Sequence, residues 1–187
     1  MTAKWITSPQ FACLTPLDVF HRERQKTDIH NDEEYQNSVI LFRKKIMLDD
    51  LPQKAELSVT ADDSYKLFIN GVFVTEGPSP AYHFRYRYDR INIGEYLKKG
   101  ENTFAFLTYY SGLINRVCQS GDRRHGLCCE LVFDGQTVIR SDESFLCKKH
   151  GGFTAAGKAG YDTQFLQAYD SRCAEDGFEK PDFDDFQ

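Results

Sequence analysis

Apolar and polar residues alternate singly along much of this chain, which is the two-residue period of strands with one buried face. From Val39 to Leu48, Ile40, Phe42, Ile46 and Leu48 share one face and Arg43 and Lys45 the other, while Lys44 interrupts the apolar face as a bulge or edge position would. Leu57, Val59 and Ala61 alternate next, an acidic Asp62-Asp63-Ser64 corner follows, and Tyr65, Leu67 and Ile69 resume the pattern. Asn70-Gly71 then predicts a tight hairpin, because both residues accept positive φ at little cost, with Val72 to Thr75 as the returning strand. Tyr82 to Asp89 alternates as an octet, placing Tyr82, Phe84, Tyr86 and Tyr88 on a core face and His83, Arg85, Arg87 and Asp89 on a wet one. Thr103 to Tyr110 is apolar on both faces and belongs in the middle of a sheet. Leu127 to Phe133, the turn Asp134-Gly135, Thr137 to Ile139 and Phe145 to Cys147 supply further strands.

Between these strands lie segments of other character. Thr15 to Gln36 is polar and reads as a long loop, Gly94 to Leu97 as a single helical turn, and Ser111 to Gly126 as a second long loop. Ala155 to Gly160 is small and flexible in pattern, and Tyr161 to Arg172 reads as a last extended segment. No stretch keeps a 3.6-residue period. The expected fold is therefore all-β, an antiparallel β-sandwich or jelly roll with little helix. Residues 1–175 form the expected module, with 1–38 an extended segment packing on it through Trp5, and 176–187 an acidic linker.

Composition narrows the function. A net charge of −5 over 187 residues argues against nucleic acid as a partner. No run is apolar enough to cross a membrane, and Met1 to Leu17 lacks the apolar core of a signal peptide. The six cysteines, Cys13, Cys118, Cys128, Cys129, Cys147 and Cys173, contain no Cys-x-x-Cys pair. They read as reduced, mostly buried thiols of a cytoplasmic protein. Fifteen Phe and ten Tyr accompany a single Trp, and such rings serve a sandwich core or a sugar-stacking surface.

No phosphate-cradling loop, nucleophile elbow or zinc-protease motif is present. Two candidate binding sites remain. One is the strip carrying His83, Arg85 and Arg87, whose guanidinium groups could donate to sugar hydroxyls beside an aromatic ring; the competing reading is a solvated strand face. The other is the polar loop with Arg116, Asp122, Arg123, Arg124 and His125, set between two buried strands; the competing readings are a wet loop or a domain interface. Asp62 and Asp63 are the candidate metal ligands, since an oxygen-rich turn suits calcium, against the reading of the same pair as an Asx turn. No other cofactor is expected.

In order along the chain, Ala3-Lys4-Trp5-Ile6, Leu41-Phe42-Arg43-Lys44, Ala55-Glu56-Leu57, Thr60 to Leu67, Asn70-Gly71, Gly77-Pro78, Tyr88-Asp89, Tyr96 to Asn102, Gly126-Leu127 with Glu130-Leu131, Asp134-Gly135 and Tyr169 to Arg172 resemble the N-terminal region of bacterial α-L-rhamnosidases. Gly177-Phe178, Pro181 and Phe183-Asp184-Asp185 look like that family's linker out of the module. The resemblance implies a galactose-binding-like jelly roll within a multidomain glycoside hydrolase. Its catalytic acids would sit on a downstream (α/α)₆ barrel of the same polypeptide, the implied partner. A rhamnose-containing glycan is the implied ligand, and some modules of this kind bind rhamnose with calcium. No catalytic residue carries over, so the chain alone is expected to be inactive. The alternative is a purely structural module that packs on the barrel; a free-standing jelly-roll enzyme is the third reading.

Overall fold

The computed structural model describes residues 3–17, 34–82, 84–113, 121–160 and 164–185. After a short helix α1 (Pro9–Ala12), the strands run β1 (Ser38–Leu48), β2 (Ala55–Asp62), β3 (Ser64–Ile69), β4 (Val72–Gly77), β5 (Asp89–Asn92), β6 (Gly100–Tyr110), β7 (Gly126–Phe133), β8 (Gln136–Arg140), β9 (Leu146–Lys149), β10 (Phe153–Ala159) and β11 (Gln164–Tyr169). A five-stranded sheet in the order β4-β3-β6-β1-β9 faces a four-stranded sheet in the order β5-β2-β7-β8, and β10 pairs with β11 in a separate ribbon. All these pairings are antiparallel.

Alternation fills the space between the sheets. Ile40, Phe42, Tyr65, Leu67, Ile69, Phe104 and Phe106 come from one layer and Leu57, Val59, Ala61, Leu127, Cys129 and Leu131 from the other. The chain passes from one layer to the other at Asp62-Asp63-Ser64: Asp62 pairs with Gly126 in β7, whereas Ser64 pairs with Tyr109 in β6. Asn70 and Gly71 take φ of 53° and 85°, as the hairpin requires. Asn70 Nδ2 donates to Tyr96 O at 2.9 Å, and Asn70 Oδ1 accepts from Thr103 N at 3.0 Å, so this turn is tied to the 3₁₀ turn Gly94–Tyr96 and to the start of β6.

Two local expectations are corrected and a third is narrowed to one of its two alternatives. The Tyr82–Asp89 octet is not a strand: regular pairing begins only at Asp89, and Arg85 N turns back to Tyr82 O at 2.7 Å. Tyr82, Phe84 and Tyr88 are 58%, 66% and 51% exposed, so they form no core face. An alternating run supplies two faces but no second layer to cover either of them, and β5 is an edge strand paired only to β2. The Ala155 to Gly160 stretch is strand β10, ordered by main-chain pairing to β11 that owes nothing to its small side chains. Lys44 marks no bulge, because β1 pairs with β6 without interruption; β9 stops at Arg43, and beyond it β1 is an edge on that side.

The outer face of the larger sheet is not solvated. Leu41 and Ala105 are fully buried there beneath Phe178, with Phe68, Leu107 and Phe183 packed around them. The tail thus folds back over the sheet through turns at Glu175–Phe178, Gly177–Lys180 and Lys180–Phe183. Cys13, Cys128, Cys129, Cys147 and Cys173 are free thiols, and burial pushes the Cys128, Cys129 and Cys147 thiols up.

Candidate functional site

Ile6 joins β7 through paired backbone hydrogen bonds with Leu127, each 2.9 Å. The close approach needs Gly126, where a Cβ would lie 2.8 Å from Ile6 O and 3.1 Å from the Trp5 ring. That bridge carries Trp5 and Thr7 over the sheet-crossing corner at Asp62. A cavity of about 370 Å³ opens there, lined among others by Trp5, Phe11, Asp62, Tyr86, Arg123, Arg124 and His125. Trp5 remains 45% exposed, with its ring centroid 4.7 Å from that of Tyr86.

His125 forms the floor. Thr108 Oγ1 donates to Ile40 O at 2.9 Å, so it accepts from His125 Nε2 at 2.8 Å. The proton therefore sits on Nε2, and Nδ1 accepts from Thr7 Oγ1 at 3.1 Å. Burial lowers the imidazole pKa to about 3, so the ring is neutral at ordinary pH. Both its nitrogens are engaged within the protein.

The acidic wall is electrostatically uneven. Asp63 Oδ2 accepts from Ser111 N at 2.7 Å. Asp62 is held well above the usual carboxylate range, first by burial and then by the Asp63 charge. Tyr86 donates its hydroxyl to Asp62 Oδ2, and burial with the neighbouring Asp62 charge pushes the Tyr86 phenol up, so it stays a donor. Asp62 Oδ1 is buried with no hydrogen-bond partner among the described residues. Arg124 pairs with the buried Asp122, and Arg123 takes φ of 69° with its backbone N donating to Tyr110 Oη at 2.9 Å.

The model of the α-L-rhamnosidase N-terminal domain family matches residues 51–187. The chain belongs to this family. Among solved structures, the GH78 family rhamnosidase of Bacillus sp. GL1 is 30% identical with a TM-score of 0.73, the match covering 80% of this chain and 16% of that enzyme. The α-L-rhamnosidase of Aspergillus terreus is 24% identical with a TM-score of 0.63, covering 78% of this chain and 18% of that one. The Streptomyces avermitilis α-L-rhamnosidase solved with L-rhamnose is 23% identical with a TM-score of 0.53, covering 99% and 15%. The chain thus spans about a sixth of the length of the rhamnosidases it resembles. No curated protein matches it.

In this rhamnosidase N-terminal domain the expected site residues divide. Arg123, His125 and Asp62 meet in the Trp5 cavity, and Asp63 adjoins it through the corner. Arg85 and Arg87 are exposed and do not line it, although Arg87 O accepts from Thr60 Oγ1 at 2.7 Å. His83 and Arg116 lie outside the described residues. Sequence reasoning missed Thr7 and the Tyr86–Asp62 hydrogen bond, although it had turned Tyr86 inward; both contacts are long-range and leave no local signal. Calcium takes about six to eight oxygen ligands. Among the described residues no three His, Cys, Asp or Glu side chains gather to hold a metal. Asp62 and Asp63 would supply carboxylates, leaving the remaining positions to carbonyls, water or ligand hydroxyls.

Ionised Asp62 strains the folded state. Because its folded pKa is raised, the cost applies above that pKa and is relieved as pH falls through it. In calcium-free buffer at pH 7, Asp62→Asn is expected to stabilise the chain by about 1–2 kcal/mol, with the gain shrinking in acid. Urea midpoints measure it; a lower midpoint at pH 7 would mean that native contacts of the carboxylate outweigh its desolvation.

Proposed function

We propose that this domain recognises carbohydrate for a rhamnosidase and contributes no catalytic acid of its own, the sugar ring lying in the Trp5 cavity. The observation that carries the reading is that one cavity is lined by both the half-exposed Trp5 ring and Asp62, a buried carboxylate with one oxygen lacking a hydrogen-bond partner among the described residues. An indole offers an apolar platform to the C–H face of a pyranose, and the carboxylates and guanidinium groups meet its hydroxyls. The relative from Streptomyces avermitilis was solved with L-rhamnose, which makes that sugar the first ligand to try. Asp62 and Asp63 are adjacent in the chain, so they do not offer the two opposed carboxylates that glycoside hydrolysis needs. The acids that cleave the bond then belong to a downstream (α/α)₆ domain.

Trp5 is the chain's one tryptophan, so its emission reports on this cavity alone. Titration with L-rhamnose, with and without calcium, is expected to give a saturable change in emission. Trp5→Ala, followed by calorimetry, is expected to weaken binding about tenfold. A flat emission at high sugar with and without calcium would reject the reading, and release of nitrophenol from an aryl rhamnoside would reject its non-catalytic part.

A specific observation favours a second, structural reading. Val72 and Phe73 on β4, 53% and 50% exposed, and Tyr82 and Phe84, stacked with ring centroids 5.2 Å apart, leave apolar surface of the kind a neighbouring domain covers. On that reading the titration is silent and these residues become protected only when the catalytic domain is present.

A further inference from the structure

A second cavity, of about 560 Å³, lies between the β10–β11 ribbon and the folded-back tail, lined among others by His150, Phe153, Tyr169, Glu175, Asp176 and Glu179. It shares no lining residue with the Trp5 cavity. His150 is 4% exposed. Its Nδ1 accepts from Gly152 N at 3.1 Å, which puts the ring proton on Nε2. No hydrogen bond to Nε2 is made among the described residues, so the ring leaves its N–H at the wall of the cavity. The rings of Phe153 and Tyr169 stand 4.8 Å and 6.1 Å from the imidazole and 5.0 Å from each other, giving an aromatic corner with Tyr169 51% exposed. Opposite are carboxylates: Asp176, whose Oδ1 accepts from Tyr169 Oη at 2.5 Å, Glu175, paired with Lys148 at 2.8 Å, and Glu179.

We propose that this cavity is a carbohydrate subsite for a neutral, hydroxylated pyranose ring. Three features select that chemistry. An anion would be repelled by Asp176 and Glu179. A quaternary ammonium would suit the rings and acids but would leave the His150 N–H without an acceptor. A hydroxyl both donates and accepts, so a polyhydroxylated ring satisfies the carboxylates and the imidazole N–H together while its C–H face lies on Tyr169. The proposal stands on its own residues and does not require the Trp5 cavity to hold sugar.

The test is amide-resolved NMR on the full chain, titrated separately with L-rhamnose, D-glucose, D-galactose and tetramethylammonium chloride. At least one sugar is expected to shift the amides of Gly152, Tyr169 and Gly177 saturably. Asp176→Asn, at an exposed position that keeps the fold, should weaken that response about tenfold and leave the Trp5 emission response unchanged. His150→Phe, which keeps a ring and removes the donor, should weaken it as well. Shifts from tetramethylammonium alone, silence towards all four probes, or sugar shifts unchanged in both variants would each overturn the proposal. Shifts at Tyr169 with a silent Trp5 would support this subsite and reject the first.

Discussion

Acidification from pH 6.5 towards pH 3 is expected to destabilise the chain through His125, whose pKa burial lowers from 6.5 to about 3. Between those values the unfolded chain binds a proton at this residue and the folded chain does not. Stability therefore rises with pH across the window, at a slope approaching about 1.4 kcal/mol per pH unit. The accumulated loss is on the order of 4–5 kcal/mol, comparable with the whole stability of many small domains. Two carboxylates act in the same range with opposite signs. Asp62, raised in the fold, is relieved as it protonates and offsets part of the loss. For Asp185, burial acts upward, but hydrogen bonds from Lys45 and Arg43 and their charges win and hold it below the usual range, so protonating it adds to the loss in acid. The His125 part is isolated by His125→Gln, which removes the titrating group and keeps an amide to reach Thr108. The variant is expected to lose about 1–2 kcal/mol at pH 7 from packing and hydrogen bonding. Its stability should then fall less steeply below pH 6.5, so that the two curves converge in acid. Parallel curves from urea denaturation across the window would show that His125 does not carry the pH dependence. Because His125 accepts from Thr7, next to the Ile6–Leu127 bridge, Trp5 emission should report loosening of the N-terminal segment over the same range.

What the sequence made legible is what a local rule determines. Asn70-Gly71 and Asp134-Gly135 announce their hairpins because positive φ is a property of the residues themselves, and both pairs adopt it. The doubly apolar run through Phe104 and Phe106 announces a central strand, and β6 is the middle strand of its sheet. The octet from Tyr82 failed because its alternation says nothing of whether a second layer exists to bury it. The Trp5 cavity was half legible. Arg123, His125 and Asp62 were nameable as polar residues in a loop and a corner, but their meeting depends on the β2–β7 register and on the Ile6–Leu127 bridge. Neither contact leaves a trace in nearby residues. His150 and Asp176 escaped notice for the same reason, since only folding of the tail brings the carboxylates to the ribbon. Fold class is written in periods and turns, whereas a site is written in long-range register.

Removing Arg43 is expected to detach the tail. Alternation put this residue on the polar face of β1, yet it is wholly buried. It stands between Ala105 and Leu146 in the sheet, and the small Ala105 leaves room for its stem. Its Nε donates to Asp185 Oδ1 at 2.6 Å, its Nη1 donates to Phe178 O and, at 3.2 Å, to Lys180 O, and its guanidinium lies 5.1 Å from the Phe183 ring centroid. Lys45 Nζ reaches the same Asp185 at 2.9 Å. One side chain thus holds four residues of the tail, three by hydrogen bonds and Phe183 through its ring. Arg43→Ala would leave two tail carbonyls without this donor and an unfilled space beneath Phe183, a loss of about 3–5 kcal/mol. Asp185→Asn, which spares the carbonyl contacts, should cost less, about 1–2 kcal/mol. Arg43→Met separates the causes. Met restores much of the volume but none of the hydrogen bonds, so near-wild-type stability would show that packing alone holds the tail. The expected result is instead that Met recovers only part of the loss, and that amide exchange at Phe178, Lys180 and Phe183 becomes faster in Arg43→Ala and in Arg43→Met alike. Detachment would uncover Leu41 and Leu107 on the outer face of the sheet and remove Glu175, Asp176 and Glu179 from the second cavity. Sugar shifts at Tyr169 should disappear with the tail, while the Trp5 response, built at the Asp62–Gly126 end of the β2–β7 pairing in a cavity lined by no tail residue, should persist. Loss of both responses together would mean that Arg43 stabilises the whole sandwich and not one strap across it.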